Sequence, residues 1–367
     1  MSEHDIPRLQ MHHPGEVAEL IPYLVGFIPE ESLVVIVTRN GRVEVTARVD
    51  LPDIQAPGAT EDLLDRIWAR FPDADAFLVA YTEHHTTGWN TLHRADAHLA
   101  GLADRQTMLI DDGTWELADG EYGTVNPAGP VATQAANYGL KLRPSRADLQ
   151  AAFASAPDTD QLATRIGAVL DTLPKPRDTE AILDLTADLI QRHLPAEPTD
   201  PTQPAQAQVP LEDAIRLAAL TQNPSAQSLA VLSITRDNAP EHLALWRNVV
   251  NQVPAYGAEA PLYLAGMAAW ISGDGASAVV ALDRSVDLNG GEQPTGQVRL
   301  LSQLIDQVVP PSAWEYIRDD VLADADPRVR TALRTTAEPE VWETITPTPI
   351  RRPEPPVAPP PAPGIAI

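Results

Sequence analysis

The stretch "SLVVIVTRNGRVEVTARVDLP" (residues 32–52) decides the fold of the first half of the chain. It opens with a continuous apolar run, which is typical of a strand buried on both faces. After Asn40-Gly41, apolar residues alternate with polar ones from Arg42 to Val49, which predicts a strand with one buried face. Because both residues of an Asn-Gly turn tolerate positive φ, the stretch predicts an antiparallel β-hairpin.

The segments around the hairpin predict a sheet with helical crossovers. A helical stripe precedes the hairpin at 17–25, and a second apolar helix face follows at 60–71. Two strand-like runs, "AFLVAYT" (76–82) and "QTMLID" (106–111), flank the helical pattern "GWNTLHRADAHLAGL". Since a strand-helix-strand order favours parallel pairing, we expect an α/β N-terminal domain with a mixed sheet over residues 1–144.

From Ser145 onward the strand patterns stop and helical periodicity dominates. Ser145 and Asp148 have the spacing of a capping box, and we expect a helical extension at 145–194. The segment "PAEPTDPTQPAQAQVP" predicts a proline-rich, extended linker at 195–210. An all-α C-terminal domain is expected at 211–335, and a proline-rich disordered tail at 336–367.

The run "AAWISGDGASAVVALDRSVDLN" (268–289) invites two interpretations, a phosphate-binding loop or a helix hairpin. A phosphate loop needs a preceding strand and a following Lys with Ser or Thr, and this run has neither. Small or apolar residues recur at the close-approach positions of a tetratricopeptide helix pair, namely Gly266, Gly273, Ala278, Leu282 and Ser285. We therefore expect a tetratricopeptide-like hairpin in the C-terminal domain.

Composition narrows the class of protein. The 367 residues include no cysteine and carry a formal net charge of −25, so thiolate metal sites and disulfides are excluded. The negative field disfavours binding to nucleic acid. The run "MSEHDIPRLQMHHPGE" has no apolar signal segment, and no run reaches the ~20 apolar residues of a membrane helix. We expect a soluble, cytoplasmic protein with no membrane contact.

Polar residues that follow predicted strands are the candidates for a functional site. They are Asp50 after the hairpin, Glu83, His84 and His85 after "VAYT", and Asp111 and Asp112 after "MLI". Carboxylates with imidazoles can hold a divalent metal that activates water. The alternative is that they cap helices and solvate loops, since Asp-Asp-Gly is an ordinary turn sequence.

Several segments together resemble a known family. They are, in order, "IPYLVGFIPEESLVVIV", "VTARVDLP", "FLVAYT", "GLKLRPSRADL", "RDNAPEHLALWRNVVNQVP" and "WISGDGASAVVALDRSV". This set resembles the actinobacterial family Domain of Unknown Function 4192 over residues 15 to 312. The resemblance implies a two-part cytoplasmic protein from GC-rich hosts, with no assigned reaction.

Two functional hypotheses follow from the sequence. The first is a non-enzymatic protein-binding or adaptor protein whose helical half contacts a protein partner. The second is a metal-dependent hydrolase or small-ligand-binding protein that uses the strand-end acids and histidines. No catalytic residue is identified, and no cofactor is implied.

Overall fold

The computed structural model describes residues 13–137, 142, 145–195, 206–288 and 296–336. The predicted proline-rich linker lies outside the described residues at 196–205. The predicted tail lies outside them from residue 337 onward.

The N-terminal half contains a six-stranded mixed sheet with the order β2-β1-β3-β4-β5-β6. The pair β3–β4 is parallel and the other neighbouring pairs are antiparallel, so the predicted mixed sheet is confirmed. The strands are β1 (Ser32–Arg39), β2 (Arg42–Asp50), β3 (Asp75–Tyr81), β4 (Arg105–Asp111), β5 (Thr114–Leu117) and β6 (Tyr122–Thr124).

The predicted hairpin joins β1 and β2. Asn40 and Gly41 have φ values of 53° and 71°, as a turn with two left-handed residues requires. Strand β1 is buried along most of its length, as predicted. The register shifts where Val37 faces Val45 and Thr38 faces Val43, so a β-bulge interrupts the alternation expected in β2.

Helices surround the sheet and form the second half of the chain. They are α1 (Pro14–Val25), α2 (Ala59–Arg70), α3 (His85–His98), α4 (Pro130–Asn137), α5 (Arg146–Ala151), α6 (Asp160–Leu170), α7 (Thr179–His193), α8 (Leu211–Leu220), α9 (Pro224–Leu232), α10 (Ala239–Gln252), α11 (Glu259–Ser272), α12 (Gly275–Leu288), α13 (Gly296–Asp306), α14 (Trp314–Asp324) and α15 (Pro327–Thr336). The predicted capping box begins α5, where the Asp148 backbone N–H donates to Ser145 Oγ.

The two faces of the sheet belong to different apolar clusters. Leu33 and Leu78 share one cluster with residues of α2 and α3. Val34 and Val79, which point to the other face, share a larger cluster with α1 and with helices of the second half. The alternation of strand side chains thus places the sheet between two helical layers.

The Gly-Asp-Gly run forms the turn between α11 and α12, which confirms the helix-hairpin interpretation. Gly273 ends α11 with φ of 85°, a conformation that strains residues with a Cβ. The Asp274 carboxylate accepts a hydrogen bond from the Ser277 backbone N–H at 3.0 Å. A Cβ on Gly266 would lie 2.6 Å from Leu301 Cδ2, so close helix packing uses that glycine. The likeness to tetratricopeptide pairs stays a prediction.

The sheet and the hairpin also meet directly. A Cβ built on Gly26, which follows α1, would lie 3.5 Å from the Ala276 Cβ of α12. The larger apolar cluster likewise includes Val34 of the sheet and Ala278 of the hairpin. The domain boundaries proposed from the sequence stay predictions, but the two halves share part of their apolar core.

Candidate functional site

One edge of the sheet collects the strand-end residues singled out in the sequence. The register places Ser32 opposite both Asp50 and Tyr81, and Tyr81 pairs with Ile110 of β4. The start of β1 and the ends of β2, β3 and β4 therefore lie at the same edge. Ligands of α/β proteins commonly bind beyond the carboxyl ends of parallel strands.

His85 and Asp111 form a pair at this edge. The His85 Nε2 atom lies 2.9 Å from Asp111 Oδ2, and both side chains are partly exposed. The two residues come together because β3 and β4 are parallel neighbours and α3 begins at His85. A carboxylate that orients an imidazole is the arrangement of a general base, and it also supplies two ligands for a cation.

Threonine and glutamate side chains fix the backbone next to this pair. Thr82 Oγ1 donates to Glu31 Oε1 at 2.7 Å and accepts from the His84 backbone N–H at 2.9 Å. Gly88 allows α3 to pack tightly, since a Cβ there would lie 2.8 Å from Leu109 Cδ1. The turn into α3 is therefore held from two sides.

Asp50 belongs to a different polar network. Its carboxylate pairs with Arg48 and, at 3.0 Å, with Arg146 of α5. Arg146 also pairs with Asp283 of α12 at 2.8 Å. Arg48 in turn donates to Ser32 Oγ at 2.9 Å. The network thus links the sheet edge to the Gly-Asp-Gly hairpin.

The environment of Asp283 differs from that of a simple surface ion pair. Burial raises the pKa of the Asp283 carboxyl, while Arg146 acts in the opposite direction. Asp50 lies close enough for its charge to raise the same pKa further. Arg146 therefore stands between two carboxylates that would otherwise repel each other.

The two groups of strand-end residues are too far apart to share one metal ion. Strands β2 and β4 are separated by β1 and β3, so their ends lie about three strand spacings, or ~14 Å, apart. Metal ligands lie within about 2.6 Å of the ion. Among the described residues, no group of three or more His, Asp and Glu side chains is arranged to hold a metal.

The other sequence candidates lie at the same edge without joining either group. Glu83 and His84 are exposed in the turn that leads into α3. Asp112 is exposed in the β4–β5 turn, with φ of 41°, which confirms the turn interpretation of Asp-Asp-Gly. Within the described ranges, none of these three side chains takes part in an ion pair.

Exposed carboxylates form what we call the acidic rim, which consists of Glu30, Glu83 and Asp112. All three are exposed, and none forms an ion pair with a residue that the structure describes. Ile28, in the loop before β1, lies beside this edge with 46% of its surface exposed. The rim therefore combines exposed carboxylates that have no ion pair among the described residues with an exposed apolar side chain.

The sequence did not identify four groups at this edge, the side chains of Arg48, Arg146 and Asp283 and the hydroxyl of Tyr81. The Tyr81 hydroxyl is buried and has no hydrogen-bond partner among the described residues. Burial raises the pKa of the Tyr81 hydroxyl, so it is a neutral donor at the inner side of this edge. Arg146 and Asp283 both lie in segments that carry the family resemblance, and that was the available signal.

These features define a class: an α/β sheet protein whose strand-end edge is joined by an ionic network to a helical half. The chain belongs to the family described as Domain of unknown function (DUF4192), whose model matches residues 14–312. No curated protein and no solved structure matches the chain. In the described ranges, every helix is too short or too polar to cross a bilayer.

Proposed function

We propose that this protein is a non-enzymatic protein-binding or adaptor protein, and that its acidic rim binds a basic segment of a protein partner. The observation that carries the proposal is the set of exposed carboxylates of Glu30, Glu83 and Asp112 at one sheet edge, which form no ion pair with any residue that the structure describes. Like charges gathered on a surface are relieved when a partner of opposite charge binds. The exposed Ile28 supplies an apolar contact within the same surface.

Charge also selects the class of partner. The formal net charge of −25 repels phosphate backbones and anionic membrane surfaces, so a basic protein segment is favoured over both. We place the protein in the cytoplasm as part of the same proposal, because the chain contains no cysteine and therefore has no disulfide to maintain.

The test is affinity capture from the host with a rim variant and a matched control. The rim variant carries Glu30→Gln, Glu83→Gln and Asp112→Asn. The control carries Asp73→Asn, Asp75→Asn and Asp104→Asn, which remove the same charge from exposed positions at the opposite sheet edge. We expect wild type and control to retain the same proteins at low salt and the rim variant to lose them. Equal retention by the rim variant refutes the proposal.

The His85–Asp111 pair favours a second candidate, a cation-dependent hydrolase or small-ligand site. Two potential ligands 2.9 Å apart at the ends of parallel strands need further ligands, and Glu83 or Asp112 are the nearest in sequence. Thermal unfolding with Mn²⁺, Mg²⁺ or Zn²⁺ is the test. Stabilisation of wild type that Asp111→Asn abolishes supports the site, and no stabilisation by any of the three ions excludes it.

A further inference from the structure

Strands β5 and β6 have one buried face and one exposed face. Trp115 and Leu117 of β5 are buried. Glu116, which lies between them, points to the opposite side and faces Leu109 of β4 and Tyr122 of β6. This row lies on the side of the sheet that carries α2 and α3, because Leu109 belongs to their apolar cluster and facing residues of antiparallel strands share a side. Tyr122 is 76% exposed, so the described residues leave this end of the sheet uncovered.

Helix α3 forms one wall of the exposed face. Its first residue, His85, lies 2.9 Å from Asp111 of β4. Near its other end, Asp96 lies 2.6 Å from Arg105 of the same strand. Trp89 lies between His85 and Asp96 on the same side of the helix, since four and seven residues correspond to about one and two turns. The partly exposed Trp89 ring is therefore on the flank of α3 that faces β4 and the strands beyond it.

Trp89 and Tyr122 lie on either side of the Glu116 carboxylate. Gly88 packs directly over β4, since a Cβ there would lie 2.8 Å from Leu109 Cδ1. Leu109 is the residue that faces Glu116, so Trp89 lies level with the row that runs from Leu109 to Tyr122. Neighbouring strands are about 4.8 Å apart, which places Tyr122 one spacing beyond Glu116. We call Trp89, Glu116 and Tyr122 the aromatic face.

The aromatic face has the chemistry of a site for a planar cation. Within the described ranges, the half-buried Glu116 takes part in no ion pair. The Trp89 ring stacks on His93 with centroids 5.9 Å apart and an angle of 29° between the planes, which restricts its orientation. Aromatic rings attract cations, and a guanidinium group can stack on a ring while it donates two hydrogen bonds to one carboxylate. A lysine ammonium lacks this planar, forked geometry.

We propose that the aromatic face binds an arginine side chain of a protein partner, with Glu116 accepting hydrogen bonds from the guanidinium and Trp89 and Tyr122 packing against it. The proposal rests on the function proposed above, since the arginine belongs to the basic segment that binds the acidic rim. The two surfaces are continuous. Asp112 of the rim follows Asp111, which lies two residues, or ~7 Å, along β4 from the row that contains Glu116.

The test uses two labelled peptides of equal length and charge, in which glycine alternates with arginine or with lysine. Fluorescence anisotropy at low salt measures their affinity for the full chain. We expect wild type to bind the arginine peptide about tenfold more tightly than the lysine peptide. Tyr122→Ala and Glu116→Gln should each reduce this preference to about threefold or less. The control Tyr256→Ala removes another exposed tyrosine, 63% exposed and outside the sheet, and should keep the preference.

The rim variant with Glu30→Gln, Glu83→Gln and Asp112→Asn separates this proposal from the proposed function. It should weaken both peptides by a similar factor and keep the preference for arginine. If it binds both peptides as tightly as wild type, the rim function fails, whereas the arginine preference of wild type still reports on the aromatic face. Equal affinity of wild type for the two peptides overturns the present proposal, as does an unchanged preference in either Tyr122→Ala or Glu116→Gln.

Discussion

His242 should make the stability of this protein depend steeply on pH below neutrality. The side chain lies in α10, is 1% exposed, and its Nδ1 atom has no hydrogen-bond partner among the described residues. Burial lowers the pKa of His242 to about 3, although a hydrogen bond to the Ser233 backbone opposes the shift. The imidazole is therefore neutral in the folded protein at every pH from 4 upward.

The sign and size of the effect follow from proton linkage. The unfolded chain protonates this histidine below its ordinary pKa of 6.5, whereas the folded chain does not, so stability falls as pH drops from 6.5 toward 3. At pH 5, about 1.5 pH units below the ordinary pKa, the expected loss from this residue is about 2 kcal/mol, at ~1.4 kcal/mol per pH unit. Above pH 7 the contribution no longer changes.

Urea unfolding at pH 8 and pH 5 measures this loss in wild type, in His242→Gln and in the control His93→Gln, which removes an exposed histidine of α3. Other groups also titrate, so the informative quantity is the difference between variants. Between pH 8 and pH 5, we expect the free energy of unfolding to fall by about 2 kcal/mol less in His242→Gln than in wild type. An equal change in wild type and His242→Gln refutes the buried, neutral histidine.

Three further predictions concern turns, packing and the ionic network. Gly273→Ala should lower the free energy of unfolding by about 1 kcal/mol, because φ at this position is 85°. The control Gly275→Ala lies in the same turn with open space around it and should leave the free energy of unfolding unchanged. Urea unfolding of the two variants tests this difference. Gly88→Ala should lower the free energy of unfolding by about 1–3 kcal/mol, since the new Cβ would lie 2.8 Å from methyl groups of Leu109 and Thr82. The control Gly167→Ala, with no neighbour within 4 Å, should leave the melting temperature unchanged or raise it. Arg146→Gln should cost about 1 kcal/mol at low salt and less at high salt, because Asp50 and Asp283 lose the cation they share; an effect independent of salt contradicts this electrostatic origin.

Short sequence motifs predicted the turns and helix ends that depend only on residues adjacent in the chain. Asn40-Gly41 requires two positive φ values and has them, and the Gly-Asp-Gly run contains its own helix end and its own cap. The alternation in β2 was a weaker guide, because the bulge opposite Val37 depends on pairing with β1. Strands β5 and β6, with four and three residues, are too short to show a periodic pattern.

The candidate site was predictable only in part. His85 and Asp111 follow strands separated by a single crossover helix, so parallel pairing brings them together. The position of Asp50 depends on strand order, and the insertion of β1 between β2 and β3 moves it away from them. Arg146 reaches Asp50 from a helix far along the chain, and Asp283 joins the network by pairing with Arg146. Contacts over such sequence separations leave no periodic signal.

The division of the strand-end residues into two groups has a functional consequence. In the first group, His85 and Asp111 are partly exposed and face solvent beside the acidic rim, so they are free to meet a ligand or a partner. In the second, the charges of Asp50 and Asp283 are already compensated by Arg48 and Arg146, and Gly26 lies near Ala276 of the helical half, since a Cβ on Gly26 would be 3.5 Å from the Ala276 Cβ. The second group therefore links the helical half to the sheet, and its Arg48 also donates to the Glu30 backbone carbonyl at 3.4 Å. A partner that binds the acidic rim would then contact a surface whose shape depends on the ionic network behind it, so Arg146→Gln should weaken capture by the rim even though Arg146 itself lies outside it.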